Sequence, residues 1–262
     1  MSSTPILSLL VAASVAALAT TLGTIPLSFD LKAKRRALSA AYSVAAGIMI
    51  GAGYLLTLAG LESRPSACIL GAVLGSTYSF WLRRVTGSKK FDDNDLESIP
   101  VEPKEVDRFL LQSSFHSAAE GAAIGAAAAV ALPLGLFLAA ALAVHNIGEG
   151  MVLTHRLYSP QATSSHPNAV PAPLLWPTSL PPAALVVVTK LPQIVLAMGT
   201  YFLIQVWPEF LPLALGFTAG ALFFLTLTDL TPFAYGQGRR EWVALLCSAA
   251  AALVVLGQSF FL

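Results

Sequence analysis

Long apolar runs separated by short polar segments fill this chain. A helix that crosses a bilayer needs about 20 mostly apolar residues, and eight runs meet that length: roughly 4–27, 37–60, 66–84, 109–131, 134–157, 180–204, 209–233 and 241–262. The pattern predicts an all-α, polytopic membrane protein of eight transmembrane helices, with residues 1–262 as a single transmembrane domain. Only Leu61–Pro65 separates the second run from the third, and only a Leu132-Pro133 corner separates the fourth from the fifth, so both pairs are expected to be tight helical hairpins. The first run has no basic residue before it and is longer than the apolar core of a signal peptide, so it is expected to be a true span.

Composition agrees. Of the 262 residues, 56% are hydrophobic and 11% charged, against about 25% charged in a soluble domain. Mean hydropathy is +0.72. The net charge of +1 offers no basic field for nucleic acid. Cys68 and Cys247 both lie in apolar runs and form neither a disulfide framework nor a zinc-type cysteine spacing.

Charge in the loops predicts orientation. Lys32, Lys34, Arg35 and Arg36 follow the first span, and Arg83, Arg84, Lys89, Lys90, Lys104 and Arg108 follow the third. Arg156 follows the fifth span, and Arg239 and Arg240 follow the seventh. All these connections lie on one side, and of the 15 basic residues they leave only Arg64 opposite and Lys190 inside a span. That side is expected to be cytoplasmic, which puts both termini outside the cytoplasm. Two cytoplasmic loops are long: about 85–108, with the run Asp92-Asp93-Asn94-Asp95, and about 158–179, rich in Pro, Ser and Ala and containing His166. The acidic run reads as a solvated loop.

Ionisable side chains at the bilayer centre each cost roughly 2.5–3.5 kcal/mol or more, so they are rare unless they function. Here they cluster. The fourth span reads FLLQSSFHSAAEGAAIGAAAAVA and the fifth LGLFLAAALAVHNIGEGMVLTHRLY, each with the pattern His-(Ser/Asn)-x-x-Glu-Gly. His116 and Glu120 are four residues apart and share a helix face, as do His145 and Glu149. Counted from the corner near residue 132, His116 is level with Glu149 at roughly 25 Å, and Glu120 with His145 at roughly 19 Å. If the two faces meet, two imidazoles and two carboxylates converge on one pocket. Such a donor set suits zinc, iron(II) or manganese(II).

Lesser signals surround this group. Gly121 and Gly125 form a small-x-x-x-small ridge for close helix packing. Gln112 shares the face of His116, and His155 lies beyond Glu149 near the helix end. Either could line a pathway or sit in interfacial water. Asp229, near the end of the seventh span, fits a capping role as well as a metal role.

The paired motif resembles that of the ZIP (Zrt/Irt-like) metal transporters, whose fourth and fifth spans carry His-Asn-x-Pro-Glu-Gly. Here those segments are His116-Ser117-Ala118-Ala119-Glu120-Gly121 and His145-Asn146-Ile147-Gly148-Glu149-Gly150. The second span, AAGIMIGAGYLLTLAGLE, and the seventh, LGFTAGALFFLTLTDLTP, are similar to family helices as well. The resemblance implies eight spans, outside termini and an elevator-like or rocking transporter. It implies a first metal held by His116, Glu120 and Glu149 with His145 beside it, and a second using Ser117, Asn146 and the shared glutamates. The chain departs from the family in three places. Ala119 and Gly148 replace the motif prolines, so the usual kinks lose their cause. Ser117 replaces an asparagine. The sixth span reads TKLPQIVLAMG, so Gln193 beside Pro192 is the nearest substitute for the family's glutamate, and Lys190 is an added cation. That counts against a second complete site. Lys190 can pair with Glu120 or Glu149, or it can snorkel to the interface.

The sequence therefore predicts transport of a divalent metal, zinc first with iron(II), manganese(II) and cadmium as rivals, into the cytoplasm. The expected partners are that ion, the lipid bilayer and, as an open question, a second copy in a homodimer; nucleic acid is not among them. The expected location is the plasma membrane. Two other readings compete. A membrane-embedded metal-dependent hydrolase would use the same donors to activate water, but neither HExxH nor a nucleophile elbow is present. A non-transporting scaffold or sensor would keep the pocket without the path.

Overall fold

A computed structural model describes residues 3–24, 31–86, 103–157 and 182–260. Asp92-Asp93-Asn94-Asp95 and His166 lie outside the described residues, as does the side chain of His155. The described residues form eight long helices and no strand. They are α1 (Ser3–Ala19), α2 (Leu31–Ser63), α3 (Pro65–Thr86), α4 (Pro103–Val130), α5 (Leu132–Leu157), α6 (Pro182–Val206), α7 and α8 (Arg240–Gly257). α7 joins Leu211–Leu225, a π-helical turn at Thr226–Leu230 and Thr231–Gln237 without a break.

Six of the helices are long and apolar enough to cross a membrane by length and composition alone. α3 and α4 are not among them. α4 carries Gln112, three serines, His116 and Glu120, which lower its hydropathy, so the helix with the weakest membrane signal holds half of the polar cluster. With its apolar helices and exposed apolar side chains such as Val73, Val195, Leu245 and Leu253, the chain is a multi-pass membrane protein. α1 is part of the bundle: Leu9, Ala13 and Ala16 are buried in the main core and the helix packs on α5 and α6.

Both hairpin corners are tighter than the sequence suggests. Arg64 alone separates α2 from α3, and Ala131 alone separates α4 from α5. Pro65 and Pro133 sit in the first turn of the helices they open, where a missing N–H costs no intrahelical bond. Across each break the ladder continues, with Cys68 N–H donating to the Arg64 carbonyl at 3.1 Å and Gly135 N–H to the Ala131 carbonyl at 3.1 Å. α4 and α5 also run unbroken through Ala119 and Gly148, as the loss of the motif prolines implies.

α4 packs most extensively on α6, α3 on α7, and α8 on α2, while α5 lies among α1, α2 and α4. Gly121 sets the closest approach of α4 to α6, since a Cβ there would overlap the Gln193 carbonyl. One turn on, Gly125 meets Ala197 in the same way. Bare backbone at both positions lets α6 bring Lys190 and Gln193 against the motif face of α4.

The π-turn in α7 has a cause. Pro232 lacks the N–H that would bond the Thr228 carbonyl, and Arg83 of α3 donates to that carbonyl instead, at 3.1 Å. The same guanidinium pairs with Asp229 at 2.5 Å, and Gln112 of α4 donates to the other carboxylate oxygen at 3.3 Å. Asp229 thus fastens α3, α4 and α7 together.

Two predictions follow from this packing. Gly121→Val should destabilise the purified protein by about 1–3 kcal/mol through overpacking, read as a lower thermal midpoint. Gly199→Ala, where a Cβ meets nothing within 4 Å, should leave that midpoint unchanged or slightly raised, since alanine favours the helix. Arg83→Ala should cost about 1–3 kcal/mol, because it strips the Thr228 carbonyl and Asp229 of their donor together; the same melting experiment reads it.

Candidate metal centre

The motif faces of α4 and α5 meet. His116, Glu120, His145 and Glu149 each place a ligand atom within 4.8 Å of the others. The contacts follow the depth match read from the sequence. His145 Nε2 lies 2.8 Å from Glu120 Oε1 at the same level across the hairpin, and His116 Nε2 lies 3.2 Å from that oxygen along α4. The two Nε2 atoms are 3.4 Å apart. His145 Nε2 is 3.9 Å from Glu149 Oε2 along α5.

Two imidazole nitrogens and one carboxylate oxygen therefore form a small triangle. Around a tetrahedral zinc bound at ~2.0–2.1 Å, donor atoms stand about 3.3 Å from one another. The triangle is close to one face of such a tetrahedron, and the Glu149 carboxylate stands beside it. Glu149 is also held: Ser113 Oγ donates to its Oε1 at 2.8 Å.

Lys190 completes the group. Only 1% exposed, it reaches from α6 between the two acids and does not snorkel. Its ammonium donates to Glu120 Oε2 at 3.2 Å, to Asn146 Oδ1 at 2.9 Å and to Glu149 Oε2. A buried carboxylate without a cation would be costly, and removing one member of such a pair costs about 3–5 kcal/mol. Lys190 supplies that cation.

Of the six ligands named from the sequence, four converge. Ser117 is fully buried beside them, but its hydroxyl donates to the Ser113 carbonyl of its own helix, at 2.9 Å. Asn146 is joined to the cluster by a hydrogen bond from Lys190. Its amide nitrogen donates to the Ala16 carbonyl at 2.7 Å and to Gln193 Oε1 at 3.0 Å, which ties α5 to α1 and α6. Gln193 serves that tie and hydrogen-bonds neither glutamate. Ser113 was missed, although Ser113, His116, Ser117 and Glu120 recur at the three- and four-residue spacing of one helix face.

A cavity of about 80 Å³ leads away from the centre. His116, His145 and Glu149 form its inner end, and Gln112, Ser113 and Asp229 continue it towards the ends of α4 and α7. Tyr42, Leu225 and Leu230 supply apolar wall. His116 and Glu149 are 13% and 14% exposed in their side chains, whereas Glu120 behind them is 0% exposed. In the other direction, towards the corner at Ala131, Ala123, Ala127, Ala139 and Leu142 pack in the main apolar core with Met49 and Leu56 of α2. Among the described residues, this cavity lies on the side of the centre that carries Gln112 and Asp229.

No family model matches the chain. Over 227 residues, 83% of its length, it is 27% identical to an Arabidopsis thaliana protein named "Putative zinc transporter". The chain spans about a third (34%) of the length of that curated relative. Over most of its length the chain is thus similar to a protein named as a zinc transporter, and it carries a paired His/Glu motif in an eight-helix frame.

Proposed function

We propose that this chain carries a divalent metal ion, zinc foremost, across a membrane through the centre on α4 and α5. The observation that carries the reading is the triangle of His116 Nε2, His145 Nε2 and Glu120 Oε1, whose edges of 3.2, 2.8 and 3.4 Å suit a tetrahedral ion. The name of the plant relative points the same way.

Each group has a role in this reading. The two imidazoles favour zinc, iron(II) or cadmium over magnesium and calcium, which prefer oxygen shells, and the two carboxylates also suit manganese(II). Glu120 and Glu149 neutralise the ion within the bilayer. The cavity past Gln112 and Asp229 is the release path. With the basic loops in the cytoplasm, that path opens inward, and the packed alanines towards Ala131 seal the outer side. A potential of 100 mV, negative inside, favours entry of a divalent cation by about 4.6 kcal/mol, twice the single-charge value. The plasma membrane provides such a potential and is the location proposed. Entry from outside requires the apolar seal to open, so the protein must alternate between two arrangements of its helices rather than act as an open pore.

Two variants test the reading. In proteoliposomes, Glu120→Ala should reduce zinc uptake to the level of empty vesicles while the protein still inserts normally. Undiminished uptake would refute the site assignment, and equal uptake with and without the wild-type protein would favour a non-transporting metal binder. His145→Ala should weaken zinc binding at least about tenfold, measured by chelator competition, with the loss smaller for manganese(II), which depends less on imidazole.

A further inference from the structure

The two glutamates of the centre are divided. Glu120 turns Oε1 to the imidazoles and Oε2 to Lys190, and Glu149 turns Oε1 to Ser113 and Oε2 to Lys190. On the Lys190 side, three oxygens surround one ammonium: Glu120 Oε2, Asn146 Oδ1 and Glu149 Oε2. An ammonium has three donors, and all three are used. Those oxygens, two anionic and one from an amide, are also what a hard divalent cation would take.

We propose that Lys190 is a tethered cation standing in the place of a second metal ion, so that the centre takes one divalent ion at a time and recovers its neutralising partner when that ion leaves. This rests on the transport reading above and assigns a stoichiometry and a release step to the same site.

Charge supports it. Two carboxylates and one ammonium leave the centre with a single negative charge. One divalent ion beside the imidazoles brings the total to +1, and a second would bring it to +3 inside a low-dielectric bundle, where like charges repel strongly. Position supports it too. Lys190 is about as deep as the cluster itself and is fixed by Asn146, which Ala16 and Gln193 orient in turn. When the metal departs, the ammonium already contacts both acids, so the empty centre is not left with two uncompensated carboxylates in lipid. A fixed cation nearby also weakens metal binding and so quickens release.

The test uses the full chain in lipid nanodiscs, with zinc as the probe for binding and manganese(II) for magnetic resonance. Bound zinc per chain is counted by equilibrium dialysis, and affinity is read by chelator competition. The wild type should saturate at one zinc, and Lys190→Arg, which keeps the cation, should do the same. Lys190→Ala should bind two zinc ions, or bind the first at least tenfold more tightly, and should turn over more slowly in proteoliposomes. Should Lys190→Ala fail to fold, the wild type alone still decides: its manganese(II) spectrum should be that of isolated ions at saturation. Two zinc ions per wild-type chain, spin-coupled manganese pairs, or a folded Lys190→Ala with wild-type stoichiometry and affinity would each overturn the proposal. In those cases wild-type zinc binding would remain sensitive to Glu120→Ala. Failure of the transport reading is different, since proteoliposomes holding the wild type would then take up no more zinc than empty vesicles.

Discussion

The Glu120 carboxylate sits in the middle of a membrane-embedded bundle with none of its surface exposed. In lipid, an acid so placed must be matched on every side or neutralised. Three helices face it: α4 and α5 bring the Nε2 atoms of His116 and His145 to within 3.2 and 2.8 Å of Oε1, and α6 supplies the Lys190 ammonium, which hydrogen-bonds Oε2. Much of the surrounding architecture serves this requirement. The corner at Ala131 folds α5 back so that His145 arrives level with Glu120. Gly121 and Gly125 remove the side chains that would hold α6 away, and Asn146 links Lys190 to α1.

Access follows from where the small residues lie. Towards the corner, α4 and α5 are rich in alanine and pack without polar groups in the main apolar core. Towards the other end the facing residues are larger and polar, and the helices leave an 80 Å³ cavity that reaches the imidazoles. Asp229 marks its outer part. It is both a wall of the cavity and the fastening between α3, α4 and α7, so a rearrangement of α7 would be felt in the path itself.

Most of the frame was legible in the sequence, because a bilayer forces each span to be long and apolar. The matched depth of the two motifs was also legible, since a helix rises by a fixed amount per residue from a visible corner. What could not be read depends on how separate helices register against one another. Lys190 could equally have paired or snorkelled until α6 was seen to run against the motif face of α4. Asp229 offered capping and metal readings, and its partner Arg83 lies 146 residues away, with nothing local to connect them. The resemblance to ZIP transporters suggested Ser117 and Asn146 as ligands. One bonds its own helix and the other ties three helices together, and neither outcome follows from the motif alone. The corners are narrower than Leu61–Pro65 and Leu132-Pro133 suggest, because Pro65 and Pro133 occupy the first turn of the next helix.

X-ray absorption of the zinc-loaded protein tests the central claim most directly, because it reads the ion's own neighbours. The account predicts a first shell of nitrogen and oxygen alone at ~2.0–2.1 Å, with the outer-shell scattering of two imidazole rings. A shell containing sulfur at about 2.3 Å, which would implicate Cys68 or Cys247, or one without imidazole scattering, would contradict it.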